Sequence, residues 1–552
     1  MFPVFGLALA FELVVAVEGI IVNVSRSLPA GIAKSPFEAF VSYSIEYAFF
    51  PDFAGNESSP NTFSDNLLNN LGNLAGTKPY IRVGGNTQDY ALYNASLTVA
   101  TNGTINPARS VDYPTTLYIG PSFFESYKTW PGVKFVHGFN LGLGGNSSAG
   151  WETLLETVPL ACKALGKERL LWWEYGNEPD LYSTSAQGPV RPSTWNEVEY
   201  VSQWLNGTRH IKEQLSQACP ELLGNATYGY LAPSFAGTNN HLKPIQTWKD
   251  GVDVDQDIKL FSSHNYIGGA TSPGVTLQGT LMNHTSTVHS IAAQVAVATN
   301  LSTLTTVPFI LGETNSLYNE GAPGLSNAFG AALWGVDFNL WCASVGISRV
   351  HMHQGTDYRY AAWQPIETNK TTKGTKAPYY GSIAVAAFLG DLTDKKKALR
   401  IANIPLQNPF EAAYAAYEHG HLARIAVINM REYNYTVNGT SSVKNPVARP
   451  NQTYSFHVGK LRPGKVAIQR LYANGSDAIS GITWDGWSYN WELDQGRPVR
   501  LSNVTVGEEV FADKGVVSIV VEDSSAAVLE IRSSCASRPT PFASPKIGYK
   551  SE

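Results

Sequence analysis

Charge is scarce in this 552-residue chain. Asp, Glu, Lys and Arg together make up 15% of it, against about 25% in an ordinary soluble protein. Neither sign dominates: 45 acidic against 40 basic side chains leave a formal net charge of −5. With no Lys/Arg run longer than the three lysines at 395–397, the balance argues against nucleic acid and strongly anionic polymers as main partners. Low charge combined with 11% aromatic residues is the opposite of a disordered or coiled-coil composition. Cysteine is scarce too. Cys162, Cys219, Cys342 and Cys535 are too few for a disulfide scaffold and lack metal-site spacing, so no metal is expected. One bridge, Cys162–Cys219 for instance, and buried free thiols are equally open readings. Also missing are an HExxH helix, a phosphate-cradling glycine loop and a Ser-His-Asp arrangement.

What is present points outward from the cell. The opening MFPVFGLALAFELVVAVEG is apolar and ends near small residues, so residues 1–18 are expected to form a secretory signal, despite Glu12 and the lack of a basic start. A buried strand is the alternative. Beyond it no apolar run reaches membrane-spanning length, so no membrane association is expected once the signal is removed. The 37 asparagines include fifteen Asn-x-Ser/Thr sites, among them Asn56, Asn94, Asn146, Asn206, Asn283, Asn369 and Asn438. Chance would give about six. The excess fits a secreted, extracellular protein that carries N-glycans.

From about residue 38 to 390 short apolar or β-branched runs alternate with longer helix-like stretches. Eight runs stand out: FVSYSIEY (40–47), YIRVGG (80–85), KFVHGFNL (134–141), LLWWEYGNEP (170–179), ATYGYLAP (226–233), LFSSHNY (260–266), PFILGET (308–314) and SRVHMHQG (348–355). Eight strand–helix alternations predict an α/β fold, a parallel (β/α)8 TIM barrel. From 391 to 552 the texture becomes alternating strands with turn signals, which reads as an antiparallel β-sandwich domain. Residues 19–37, with the strand IIVNV (20–24), are expected to join that sandwich.

In such a barrel, side chains at the C-terminal ends of the strands point into the active site. Those ends carry Glu46, Asn86 with Asp89 beyond, Asn140, Asn177-Glu178-Pro179, His264-Asn265-Tyr266, Glu313, and His353-Gln354. Glu178 and Glu313 terminate very apolar strands, where an ionised carboxylate is costly unless paired. Two such acids suit glycoside hydrolysis, one as a proton donor with a raised pKa and one ionised and nucleophilic. Asn177 would hold the sugar hydroxyl beside the reacting carbon, and Tyr266 would hydrogen-bond the nucleophile. The bland alternative is that each glutamate only pairs with a buried arginine such as Arg82 or Arg349. His351 and His353 read as polar lining, since no third metal ligand can be placed.

At these residues the sequence resembles glycoside hydrolase family 79, which holds β-glucuronidases and heparanases of the retaining (β/α)8 clan. The matching segments are YIRVGGNTQDYALY (80–93), LWWEYGNEPDLY (171–182), SSHNYIGG (262–269), ILGETNSLYNEGAP (310–323) and RVHMHQGTDY (349–358). The resemblance implies that Glu178 is the acid/base and Glu313 the nucleophile, and that no cofactor is needed. It implies that Glu46, Asn86 and Asn177 bind sugar hydroxyls, and that Tyr318, Tyr358 and the backbone near Gly321 receive a glucuronate carboxylate, with Tyr360 an alternative to Tyr358. One departure is plain: where family members often carry a glycine pair after the tyrosine, here Tyr318 is followed by Asn319 and Glu320 before Gly321. The expected substrate is therefore a glycan with a terminal β-glucuronic acid, 4-O-methylated or not, such as arabinogalactan, cleaved by exo action. Alternatives are an endo-acting heparanase-like enzyme, a neutral-sugar relative such as an arabinofuranosidase or xylosidase, and a non-catalytic glycan-binding protein.

Overall fold

The computed structural model describes residues 19–531 apart from 186–187, 438, 460 and 462. The expected signal, Cys535 and the site at Asn438 lie outside the described residues. Eight parallel strands close into a barrel: β1 (Val41–Glu46), β2 (Ile81–Gly84), β3 (Phe135–Phe139), β4 (Leu170–Tyr175), β5 (Tyr230–Phe235), β6 (Ile258–Gly269), β7 (Phe309–Tyr318) and β8 (Val350–Gln354). Val350 of β8 sits in register with Val41 of β1 and shuts the ring. Each strand lies within one of the eight sequence runs or extends it. The strands β1, β2, β3, β5 and β8 are buried along their whole length, as expected where helices cover one face and the barrel interior the other.

Long helices complete most of the repeats: α1 (Thr62–Ala75), α2 (Ser148–Arg169), α3 (Glu197–Ala218), α4 (His284–Leu301), α5 (Phe329–Ser344) and α6 (Ala377–Leu389). A disulfide between Cys162 on α2 and Cys219 just beyond α3 ties two neighbouring helices, while Cys342 is a buried free thiol. After β2 the chain makes an excursion the sequence did not announce. Ala91–Tyr93, Thr101–Thr104 and Thr116–Ile119 form a small three-stranded sheet above the barrel rim.

The second unit packs on α5 and α6. Its larger sheet contains β9 (Arg400–Ile404), β10 (Glu411–Glu418), β11 (His421–Asn429), β13 (Gly464–Tyr472) and β16 (Ser525–Glu530). A three-stranded sheet faces it, made of β12 (Asn451–His457), β15 (Val516–Glu522) and the N-terminal strand Ile20–Asn23, which runs parallel to β12 with Ile20 opposite Tyr454. Edge strand β14 (Glu509–Ala512) pairs with β13. Burial along β15 alternates, one face in the core and one in water, whereas β10 and β11 are buried on both faces because α5 and α6 cover the side away from the sandwich core. Tyr414 of β10 donates to Asp337 of α5 at 2.6 Å, and Arg424 of β11 donates to the Phe388 carbonyl of α6 at 2.7 Å. The helices approach so closely that a Cβ at Gly381 would stand 2.6 Å from the Ala332 carbonyl oxygen. That seam holds the two units together.

Candidate active site

Arg82 is the centre of the barrel mouth. It is fully buried on β2, where a lone guanidinium is untenable without partners. Its Nη1 donates to Glu313 at 2.7 Å and to Ser44 at 3.0 Å, Nη2 donates to Asn177 at 2.7 Å, and Nε pairs with Glu174 at 2.8 Å. One cation thus fixes groups from β1, β4 and β7. The alternative reading of the sequence, that the glutamates pair with a core arginine, is true of Glu313; Arg349 instead donates to the Glu38 carbonyl.

Glu313 receives a second donor, the Tyr266 hydroxyl, at 2.8 Å. Burial alone would raise its pKa. The neighbouring His353 and His264 rings, Arg82 and the Tyr266 hydrogen bond outweigh that and hold Glu313 well below the usual carboxylate range. His264 is itself lowered to about 4 by burial, so near neutral pH the fixed positive charge beside Glu313 is Arg82. His353 is raised, because Glu313 and Glu46 outweigh its burial.

Glu178 has the opposite environment. It follows β4 in a left-handed conformation (φ 52°), held by its own N–H on the Ser234 carbonyl at 2.9 Å. Its carboxyl lies 2.9 Å from His264 Nδ1, and burial, followed by repulsion from Glu313, pushes it up to about 8. The facing atoms of Glu178, His264 and Glu313 all lie within 4.8 Å of one another. Such a trio can in principle hold a cation, but Arg82 already places a positive charge against Glu313. In glycosidases a carboxyl separation of about 5–5.5 Å accompanies retention, and about 6.5–9.5 Å accompanies inversion. The facing oxygens here, within 4.8 Å, stand closer than the inverting range.

Around the pair, Asp89 acts as a buried hub. It accepts from the backbone N–H groups of Leu141 and Gly142, at 3.0 Å each, from Asn177 N–H at 2.8 Å, and from the Tyr182 hydroxyl at 2.6 Å. Asn177 Nδ2 reaches Asn86 at 3.3 Å, and Asn86 reaches the Tyr113 hydroxyl at 3.2 Å. Glu46 accepts from Thr87 N–H at 2.8 Å and lies 3.3 Å from both His353 and the Tyr358 hydroxyl. Gly85 permits this, since at φ 100° a Cβ would sit 2.8 Å from the Glu46 oxygens.

Two expectations change here. Tyr318 is half exposed, with its hydroxyl 3.4 Å from Ser272. It lies five residues beyond Glu313 on the same strand, which at roughly 3.3 Å per residue puts it about 16 Å away. It is a rim residue and does not share the pocket. Gly321 offers no free N–H: that group bonds the Leu317 carbonyl at 3.0 Å, and its own carbonyl accepts from Arg359. Glu46, Asn86, Asn177, Tyr266 and Tyr358 lie in the polar network that reaches Glu313 through Arg82, His353 and the Tyr266 hydroxyl.

A model of the glycosyl hydrolase family 79 C-terminal beta domain matches residues 413–528. Over nearly its whole length the chain is similar to two curated proteins named beta-glucuronidase. One, from Neurospora crassa, is 56% identical over 96% of this chain and 99% of that protein. The other, from Aspergillus niger, is 59% identical over 92% of this chain and 94% of its own. The chain belongs to glycoside hydrolase family 79. A solved Fusarium oxysporum 4-O-alpha-L-rhamnosyl-beta-D-glucuronidase shares its fold, with a TM-score of 0.72 at 24% identity, over 93% of this chain and 100% of that one.

In this family 79 glycoside hydrolase, one carboxyl pushed up by its surroundings faces another held low across the barrel mouth. Sequence reasoning did not find Glu174, which pairs with Arg82 four residues before Glu178, because a lone acid inside an apolar strand has no local signature. It also missed Tyr113, which lies in the unannounced excursion after β2, and the contacts of Arg359.

Proposed function

We propose that this glycoside hydrolase is a secreted, retaining exo-β-glucuronidase acting on glycans that end in β-glucuronic acid. The observation that carries the reading is the pair of close carboxyls held in opposite protonation states, Glu178 up to about 8 and Glu313 far below it. In the first step Glu313 attacks the anomeric carbon while Glu178 passes its proton to the departing glycosidic oxygen. Arg82 and Tyr266 keep the nucleophile ionised, and Asn177, fixed through Arg82 and Asp89, meets the hydroxyl next to the reacting carbon. In the second step Glu178, now a base, draws a proton from water that attacks the glycosyl–Glu313 ester, and the sugar leaves with its β configuration.

The glucuronide is supported by the two relatives named beta-glucuronidase at 56% and 59% identity. Exo action is supported by the excursion after β2, which sets Tyr113 against one side of the pocket. Secretion is supported by the Cys162–Cys219 bridge, which suits an oxidising compartment, and by exposed sequon asparagines such as Asn94, Asn102, Asn206 and Asn369. Among the described residues no helix is long and apolar enough to cross a membrane.

The test compares kcat/KM for nitrophenyl β-glucuronide and β-glucoside. Buried donors left without their carboxylate cost about 1–3 kcal/mol each, so a preference of roughly two to three orders of magnitude is expected. Equal rates would replace the glucuronidase reading with a neutral-sugar enzyme. An NMR time course should show β-glucuronic acid before any α anomer.

A further inference from the structure

Three buried tyrosines, Tyr113 from the excursion and Tyr358 and Tyr360 from the loop after β8, form the pocket wall beside Glu46. Glu320, in the loop after β7, faces that wall, and its charge bears on all three hydroxyls. Its side chain is 13% exposed, its backbone is left-handed (φ 60°), and its carbonyl accepts Arg359 N–H at 2.8 Å. Asp112 takes the Arg359 guanidinium in a two-point pair at 2.6 and 3.0 Å. Glu320 is left 3.8 Å from that guanidinium, so two carboxyls share one cation.

One guanidinium balances only one of two neighbouring carboxylates, and the second, largely buried, is relieved by taking a proton. Its holder is Glu320, which burial and then Asp112 push up to about 8, against the pull of Arg359. This wall carries three tyrosine hydroxyls, whereas Arg82 at the pocket floor is taken up by Ser44, Glu174, Asn177 and Glu313.

Resting on the glucuronidase reading, we propose that Glu320 is a specificity-determining residue that meets the glucuronate carboxylate as a neutral acid, so that binding is linked to one proton. Tyrosine hydroxyls donate hydrogen bonds but no net charge. An ionised Glu320 beside the sugar's carboxylate would place two like charges in a half-buried pocket where the Arg359 guanidinium is already taken by Asp112. The groups that face Glu320 are Asp112 and Tyr113 on the excursion, Tyr90 ahead of it, Tyr358, Arg359 and Tyr360 after β8, and Glu46 on β1. Lys376 lies behind them, its Nζ on the Tyr358 carbonyl at 2.8 Å, and burial lowers it to about 8. A pH profile alone therefore does not separate Lys376 from Glu320.

The experiment measures the Kd of D-glucuronate from pH 6 to 9.5 in a Glu178→Gln background, which removes turnover and the titration of the acid/base. In that background Kd should climb by about tenfold per pH unit above pH about 8. Adding Glu320→Gln should make it nearly flat over the same range. Glu320→Gly, a residue at ease with a left-handed backbone, should flatten it too and covers the case in which the glutamine variant fails to fold. If both double variants keep the climb, Lys376 or another group is responsible and the proposal falls. A Glu178→Gln protein whose Kd does not change with pH overturns it equally. No binding of D-glucuronate at any pH overturns the glucuronidase reading itself.

Discussion

At the scale of single residues, the site works by giving two chemically identical side chains different surroundings. Glu313→Ala should lose nearly all turnover, and azide should restore it as the α-glycosyl azide. Glu178→Ala should keep turnover on dinitrophenyl β-glucuronide, whose leaving group needs little acid, and with azide should give the β-glycosyl azide. Exchanged azide products would exchange the roles. The sign of the pH dependence follows from the same pair. Glu178 must be protonated for the first step, so kcat should fall as pH rises through about 8. That limb should vanish in Glu178→Ala with the activated substrate, because no acid remains to be titrated. Glu178, Glu313, Asn177 and Tyr266 were legible in the sequence because barrel geometry sends strand-end side chains to one place. Arg82 was visible only as a buried cation; its grip on Ser44, Glu174, Asn177 and Glu313 depends on how four strands are juxtaposed, which no local pattern encodes.

Among the elements, the barrel strands were read from their apolar runs, and β11, β12, β13, β15 and β16 from alternation. Strands β9 and β10 were not. EAAYAAYE in β10 is rich in alanine, a residue with strong helix and weak strand preference. It is extended because the sheet and helix α5 close on it from both sides, a tertiary effect. The excursion after β2 escaped notice for a related reason: its strands are three or four residues long, too short for any periodicity. The disulfide lends itself to a test at this scale. Joining α2 to the end of α3 across a separation of 57 residues restrains the unfolded chain by about 4 kcal/mol in the loop-entropy picture. Replacing Cys162 and Cys219 together with alanine should lower the melting temperature by several degrees while leaving kcat unchanged, since neither residue approaches the barrel mouth. An unchanged melting temperature would show that the helices hold their places without it. Asp89→Asn should act differently. The fold should persist, but an amide now faces four donors, so Asn177 should be displaced, kcat should drop sharply and the melting temperature should fall as well.

Over the whole molecule, buried acids set the dependence of stability on pH. Asp180 is raised by burial to about 7, and Glu178 and Glu320 to about 8. A carboxyl whose folded pKa is raised contributes stability that is complete below its unfolded value and lost as pH climbs through its folded value. Buried neutral histidines such as His137 and His264, lowered to about 3 and 4, act the other way, costing stability below their unfolded value near 6.5. The two sets offset each other in mild acid. Above pH 6.5 the acids go on losing stability, the raised His353 and His284 lose it in the same direction, and Lys376, lowered to about 8, opposes them only beyond that value, so the melting temperature should fall steadily from about pH 6.5 to 8; a rise over that interval would contradict the assignment. The same molecule-wide view gives the strand Ile20–Asn23 a meaning in time. During synthesis it leaves the ribosome before any barrel strand, while its partner β12 follows roughly 430 residues later, which at ordinary elongation rates is a delay of roughly 20–90 s. Throughout that interval the strand is an open edge with nothing to pair with, although the barrel that follows it can already close. The first segment to be made is thus among the last to be placed, and any stall in translation before β12 leaves a finished barrel trailing a sticky end.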